Sequence, residues 1–121
     1  MTNSLAAFLY VRGLFAEDLS QVEIQAQTDC VRACLLKLQQ DLLNTSDEAD
    51  EQTIQAVFYE AGKLHFSTKL RWWFQVLYQA LLSENEGPRL GQFTKMMTIH
   101  WVSDKIDQVI TDYWAMNQVH A

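Results

Sequence analysis

Apolar residues recur every three or four positions over most of the chain, a spacing that places them on one face of an α-helix. Stretches rich in glycine, proline or acidic residues interrupt this spacing and mark helix ends. No internal repeat, low-complexity tract or linker divides the 121 residues. The pattern therefore predicts an all-α fold, with one domain over residues 1–121 folded as a compact bundle of five to six helices.

The N-terminal part predicts two helices joined by a connector. Ser4 begins a helix of about a dozen residues, whose apolar segment Leu5–Phe15 either completes the core of the monomer or forms a dimer seam. Residues 22–27 alternate apolar and polar side chains and predict an extended connector. Thr28 is then expected to cap a helix that ends near Leu43. Its inward stripe is Val31, Cys34, Leu35, Leu38 and Leu42.

Two further helices are expected in the middle of the chain. The third covers residues 50–61 and follows a solvated acidic loop, with Gly62 at its C-terminus. The fourth begins at Thr68, and its apolar side chains fall within a sector of about 100°. They are Leu70, Trp73, Phe74, Leu77 and Leu81. Trp72 projects to the opposite side with Gln79, so we expect it to be exposed.

A polar elbow separates the fourth helix from the last part of the chain. Gly87 is expected to adopt the left-handed conformation that releases the chain, and Pro88 to occupy the first position of the next helix. That helix carries Leu90, Phe93, Met96 and Met97. Ser103 then caps a final helix. Its predicted inward residues are Ile106, Val109, Ile110, Tyr113 and Trp114.

The charge is unevenly distributed. The net charge of −6 argues against a general nucleic-acid-binding surface, since neutralising phosphates requires a basic face. Residues 62–95, however, carry five basic and two acidic side chains, and they include the elbow. Exposed Trp72 beside the cations of this part predicts a patch that stacks bases and holds phosphates. Those cations are Lys69, Arg71, Arg89 and Lys95. In the alternative, Arg89 caps the preceding helix and Trp72 rests on the first helix.

No pattern typical of catalysis or metal binding is present. There is no glycine-rich phosphate loop and no triad-like arrangement of Ser, His and Asp. Cys30 and Cys34 lie on one helix face, and we expect reduced thiols in a cytoplasmic protein because further zinc ligands are missing. No apolar run approaches the roughly 20 residues of a membrane span. We therefore expect no catalytic residue, cofactor, metal or membrane partner.

Three segments carry a family resemblance. They are residues 54–63 (IQAVFYEAGK), the pairs Trp73-Phe74, Leu77-Tyr78 and Leu81-Leu82, and residues 86–93 (EGPRLGQF). Their order and spacing resemble the C-terminal, α-helical anticodon-binding domain of class I lysyl-tRNA synthetase, over about residues 28–110. The resemblance implies a role in translation with tRNA as partner. The resemblance assigns no base-reading residue, so the expected contacts remain those of the patch, Arg89, Lys95, Arg71, Trp72 and Lys69. The structural motif that it indicates is Gly87, Pro88, Gly91, Phe93 and Trp73.

The departures from that family shape the functional hypotheses. The HIGH and KMSKS signatures of the catalytic half are missing from the sequence, so we expect no enzyme activity from this chain alone. Residues 96–101 (MMTIHW) contain no glycine where the family has one shortly after the phenylalanine-led helix, which is expected to change that turn, and residues 1–27 have no counterpart. The first hypothesis is a module that binds tRNA weakly and in a salt-dependent way. The alternative is a protein–protein interaction or regulatory domain, or a homodimer, that reuses the scaffold without RNA binding.

Overall fold

The computed structural model describes the backbone of residues 4–118 and the side chains of residues 5–111. Over these residues the chain forms six helices and no strand, which confirms the predicted all-α bundle. The helices are α1 (Ser4–Val11), α2 (Gln21–Leu43), α3 (Glu51–Phe66), α4 (Leu70–Leu82), α5 (Leu90–Met97) and α6 (Ile99–Gln118).

One hydrophobic core joins all six helices. The predicted stripe of α2 from Val31 to Leu42 is buried in it, and α3 packs between α2 and α5. Trp73 of α4 is completely buried, and its indole Nε1 donates a hydrogen bond to the carbonyl of Phe58 at 3.0 Å. This bond satisfies the only polar atom of the side chain, so Trp73 contributes apolar contacts without leaving a buried donor unpaired.

The segment that begins with α1 is part of the same core. Leu5, Phe8, Leu9 and Leu14 are all buried there. Gly13, at φ 71°, takes the left-handed conformation that ends α1 and turns Leu14 inward, and the Leu14 amide donates to the Leu9 carbonyl at 3.0 Å. Of the two roles left open for this segment, completing the core of the monomer is therefore the one observed.

The prediction of an extended connector over residues 22–27 is wrong, because these residues form the first turns of α2. The helix is capped by Ser20, whose hydroxyl accepts from the Glu23 amide at 3.1 Å while the Glu23 carboxylate accepts from the Ser20 amide. This reciprocal pair is a capping box. Thr28, predicted as the cap, is buried within the helix, where its hydroxyl donates to the Ile24 carbonyl at 2.7 Å.

The third helix begins as predicted but extends further. Asp50 caps it by accepting from the Thr53 amide at 2.8 Å, and hydrogen bonding to the side chain and then to the backbone of Thr53 lowers the pKa of the Asp50 carboxyl. Gly62 is not its C-terminus, since α3 continues to Phe66. A Cβ atom at Gly62 would overlap the indole of Trp73, so the glycine permits close packing of α3 and α4.

The last helix also begins earlier than predicted. Ser103 does not cap it, because α6 starts at Ile99 and Ser103 is buried inside it. The Thr98 hydroxyl instead accepts from the Trp101 amide at 3.2 Å. Of the predicted inward residues, Ile106 is buried and both Val109 and Ile110 pack against the core; Tyr113 and Trp114 lie outside the described side chains.

Candidate nucleic-acid interface

The elbow between α4 and α5 is formed by residues 83–89. Ser83, at φ 57°, is the residue in the left-handed conformation, and its amide donates to the Gln79 carbonyl at 3.1 Å. The prediction that Gly87 takes this conformation is wrong. Gly87 instead allows a close approach, since a Cβ atom there would lie 2.8 Å from Cδ1 of Leu82 and 3.3 Å from Cδ1 of Tyr78.

Pro88 and Arg89 are fixed by contacts on both sides. The Tyr78 hydroxyl donates to the Pro88 carbonyl at 2.9 Å, which joins the elbow to α4. The Arg89 carbonyl accepts the first hydrogen bond of α5, from the Phe93 amide at 2.9 Å, so Arg89 is the N-cap residue. Pro88 therefore precedes the N-cap residue. The prediction that it occupies the first position of the helix is wrong. The Arg89 side chain is exposed beside this anchored backbone.

Gly91 brings α5 into direct contact with α3. It is buried, and its amide donates to Oε1 of Gln55 at 2.7 Å. A Cβ atom at this position would overlap the backbone carbonyl oxygen of Glu51 and lie 3.0 Å from the Gln55 nitrogen. Phe93, one turn into α5, is buried in the core below this contact. The glycine thus sets the position from which Arg89 projects.

The cations proposed for the site form no salt bridge with a described residue, although Lys95 is close enough to Asp50 to help lower the pKa of its carboxyl after the Thr53 hydrogen bonds. The three salt bridges in the described part of the chain use other cations, Arg32, Lys37 and Lys63. The four candidates are exposed and form no ion pair with a described residue: Lys69, Arg71, Arg89 and Lys95. An unpaired surface cation remains available to an anion such as phosphate, because no carboxylate has to be displaced.

These four cations do not form one continuous patch. Lys69 lies beside a cleft of about 250 Å³ that is also lined by Leu14 and Trp72. Lys95 donates to the backbone carbonyl of Asp47 at 3.3 Å, in the loop before α3. Arg89 is instead beside Tyr78 at the elbow, close enough to influence the titration of its hydroxyl.

The prediction that Trp72 is exposed is wrong, because the side chain is half-buried. Its Nε1 donates to the carbonyl of Leu14 at 2.5 Å, and its ring packs 6.5 Å from Phe15 and 5.2 Å from Phe66 between ring centroids. The ring is therefore partly buried against the segment that follows α1. A base could not stack on Trp72 without displacing these contacts, so the alternative position considered from the sequence is the one observed.

Gln79 was expected on the exposed side of α4 with Trp72, but the N-terminal segment covers it as well. It is buried, accepting from the Arg12 guanidinium at 3.0 Å and donating to Asn85 at 2.6 Å. The Arg12 guanidinium also lies 5.0 Å above the ring of Phe8. The N-terminal segment thus covers the face of α4 that was expected to be free, and it binds the elbow through Gln79.

Three aromatic residues near Arg89 were not identified as site residues from the sequence. Tyr59 of α3 is 41% exposed, and its ring centroid lies 4.8 Å from that of Phe74 on α4. Tyr78 follows one turn after Phe74. Burial raises the pKa of the Tyr78 hydroxyl, the nearby Tyr59 phenol adds to this rise, and Arg89 opposes it. The recurrence of Arg71, Phe74 and Tyr78 at helical spacing is the sequence signal that could have found this face.

Other chemistry has little support in the described residues. Within residues 5–111, no group of three His, Cys, Asp or Glu side chains could hold a metal ion. Cys34 is buried, and this burial raises the pKa of its thiol to about 11, so the reactive thiolate is disfavoured. Over the same residues, no helix has the length and hydropathy of a membrane span.

The described residues form a small helical bundle with exposed cations at and near the elbow. Sequence comparison finds proteins that are similar to part of the chain. The lysine–tRNA ligase of Rickettsia prowazekii (strain Madrid E) is 39% identical over 67 residues, which are 55% of this chain and 13% of that protein. The lysine–tRNA ligase of Roseobacter denitrificans (strain ATCC 33942 / OCh 114) is 30% identical over 86 residues, 71% of this chain and 16% of the relative. A region of this chain is therefore related to lysyl-tRNA synthetase.

The similarity is limited in extent. The chain matches about 13% to 16% of the length of these relatives. No protein-family model matches the chain, and no solved structure matches it.

Proposed function

We propose that this chain is a non-catalytic, tRNA-associated helical module of the anticodon-binding type found in class I lysyl-tRNA synthetases. The observation that carries the proposal is the elbow, where Arg89 is exposed, forms no ion pair with a described residue and projects from a backbone fixed by Tyr78 and Gly91. Because the backbone at this turn is already fixed, binding of the Arg89 guanidinium to an RNA phosphate restricts only the side chain.

The overall acidity of the chain limits the strength of this binding. The net charge of −6 repels RNA at long range, whereas residues 62–95 attract it locally. We therefore expect affinity in the micromolar range at low salt and little binding at physiological salt.

Gel retardation of total tRNA at about 50 mM salt tests the proposal. The wild-type protein should retard tRNA at micromolar concentration, and Arg89→Ala should require a clearly higher protein concentration for the same shift. Lys37→Ala is the matched control, since it removes the same charge from α2, where Lys37 pairs with Asp41. No retardation by the wild-type protein would refute the proposal.

The alternative is a protein-interaction domain, and one feature of α2 favours it. Val22, Leu36 and Leu43 are exposed at multiples of seven residues, so they lie on one face of the helix. The net charge of −6 also suits this alternative, whereas the other candidate seam, Leu5–Phe15, packs in the core of the monomer through Leu5, Phe8, Leu9 and Leu14. A homodimer through the α2 face would be detected by light scattering, with Leu36→Glu restoring the monomer.

A further inference from the structure

Aromatic rings and unpaired arginines meet on the face where α3, α4 and the elbow join. We call this face the aromatic elbow surface and define it by Tyr59, Phe74, Tyr78, Arg71 and Arg89. Phe74 contacts the Tyr59 ring at 4.8 Å between centroids, with the two planes inclined at 57°. Tyr78 holds the elbow through its hydrogen bond to the Pro88 carbonyl. The surface therefore combines an exposed ring with a fixed position for Arg89.

Helix geometry places Arg71 on the same face. It precedes Phe74 by three residues and Tyr78 by seven, so the three side chains follow one another along α4 over about 10 Å. On α3, Tyr59 comes one turn after Gln55, the residue that accepts the Gly91 amide. Because Gly91 and Arg89 are two residues apart, the start of α5 adjoins Tyr59. The two arginines thus flank the aromatic rings from opposite ends.

We propose that the aromatic elbow surface binds unpaired nucleotides of an RNA loop, with a base stacked on Tyr59 and the adjacent phosphates held by Arg71 and Arg89. This inference rests on the proposed function and names the binding site within it. Aromatic rings and arginines are the groups that proteins use to bind single-stranded bases, whose faces are hidden in a paired helix.

The chemistry of this surface favours RNA over a protein partner. The two acidic residues of the elbow, Glu84 and Glu86, are exposed, and neither forms a salt bridge with a described cation. Glu60, beside Tyr59, is neutralised by Lys63 at 3.2 Å. Glu84 and Glu86 thus equal Arg71 and Arg89 in number, so the preference for RNA rests on arginines beside an exposed ring and not on net charge. Of the other large aromatic side chains of α4, Trp72 and Trp73 donate their indole N–H groups to backbone carbonyls and are covered by neighbouring residues.

An RNA hairpin with 2-aminopurine in its single-stranded loop tests the proposal. Stacking on Tyr59 should quench the fluorescence on titration with wild-type protein. Tyr59→Ala should lower the affinity about tenfold and abolish the quench, whereas Tyr59→Phe should retain both within about twofold because the ring remains. A fully paired RNA duplex of the same length should bind more weakly than the hairpin.

Leu64→Ala is the matched control. Leu64 is also exposed on α3, at 49%, but it follows Tyr59 by five residues and so lies on a different face. It should leave affinity and quench unchanged, and circular dichroism should be the same for every variant. If the hairpin binds and weakens with Arg89→Ala but not with Tyr59→Ala, this inference is wrong and the proposed function stands. If no variant or wild-type protein binds RNA at low salt, both fail, and a protein partner becomes the better account of this surface.

Discussion

Gly91→Ala tests the contact that positions the elbow. The added methyl group would overlap the Glu51 carbonyl oxygen, which belongs to the backbone of α3 and cannot rotate away. Restoring an ordinary contact of about 3.5 Å requires α5 to move by about 1 Å. Such a shift stretches the 2.7 Å hydrogen bond from the Gly91 amide to Gln55 and loosens the packing of Leu90 and Phe93, which are both buried.

The magnitude follows from three contributions. Overpacking costs about 1–3 kcal/mol. Losing the buried hydrogen bond adds about 1 kcal/mol. The better helix propensity of alanine offsets about 1 kcal/mol of this destabilisation. We therefore expect a net loss of about 1–3 kcal/mol in the free energy of unfolding.

Urea denaturation followed by circular dichroism at 222 nm measures this loss. The midpoint should fall with little change in slope, and the melting temperature should drop by roughly 10 °C. Gln92→Ala is the control, because Gln92 is the next residue of α5 and is exposed. It should change the stability by less than about 0.5 kcal/mol. A Gly91→Ala protein as stable as the wild type would contradict the close approach of α3 and α5.

Two further predictions concern stability. Thr98, at φ 88° and ψ 153°, is a β-branched residue in a region that favours glycine. Thr98→Gly relieves this backbone strain but removes the hydroxyl that accepts from the Trp101 amide, so we expect a net gain of about 1 kcal/mol in stability, measured by thermal melting. Thr111→Gly, the control within α6, should instead destabilise the fold. The raised pKa of Cys34, about 11 against an ordinary 9.0, predicts that stability falls as pH rises from 9 to 11, because the unfolded chain ionises first. Cys34→Ala should weaken this pH dependence in urea titrations; an unchanged dependence would show that other groups cause it.

Local pattern was sufficient to predict most of the helices. The stripe from Val31 to Leu42 and the cap at Asp50 depend on residues three or four apart, which the sequence displays directly. The alternation at residues 22–27 indicates a strand, but the Ser20–Glu23 capping box, which the sequence also displays, specifies a helix there. Gly62 is a residue typical of a helix end, whereas it faces Trp73 from within the last turns of α3.

The candidate site depended more on distant contacts. Trp72 is covered by a residue 58 positions away, and Gln79 by one 67 positions away. Nothing in the pattern of α4 alone distinguishes such a covered face from a solvated one. The turn at Thr98 illustrates a different limit, since threonine there adopts a positive φ that its own preferences disfavour. The proximity of Tyr59 to Phe74 likewise arises only when α3 and α4 pack together.

The salt dependence of tRNA binding tests the central claim most directly. If Arg89 neutralises one phosphate at the elbow, the affinity of the wild-type protein should fall linearly on a plot of log K against log salt concentration. Arg89→Ala should reduce that slope by about 0.7–0.9, the share of one phosphate contact, while Lys37→Ala leaves it unchanged. Equal slopes for wild type and Arg89→Ala, or no measurable tRNA binding at about 50 mM salt, would contradict a tRNA-binding role for the elbow.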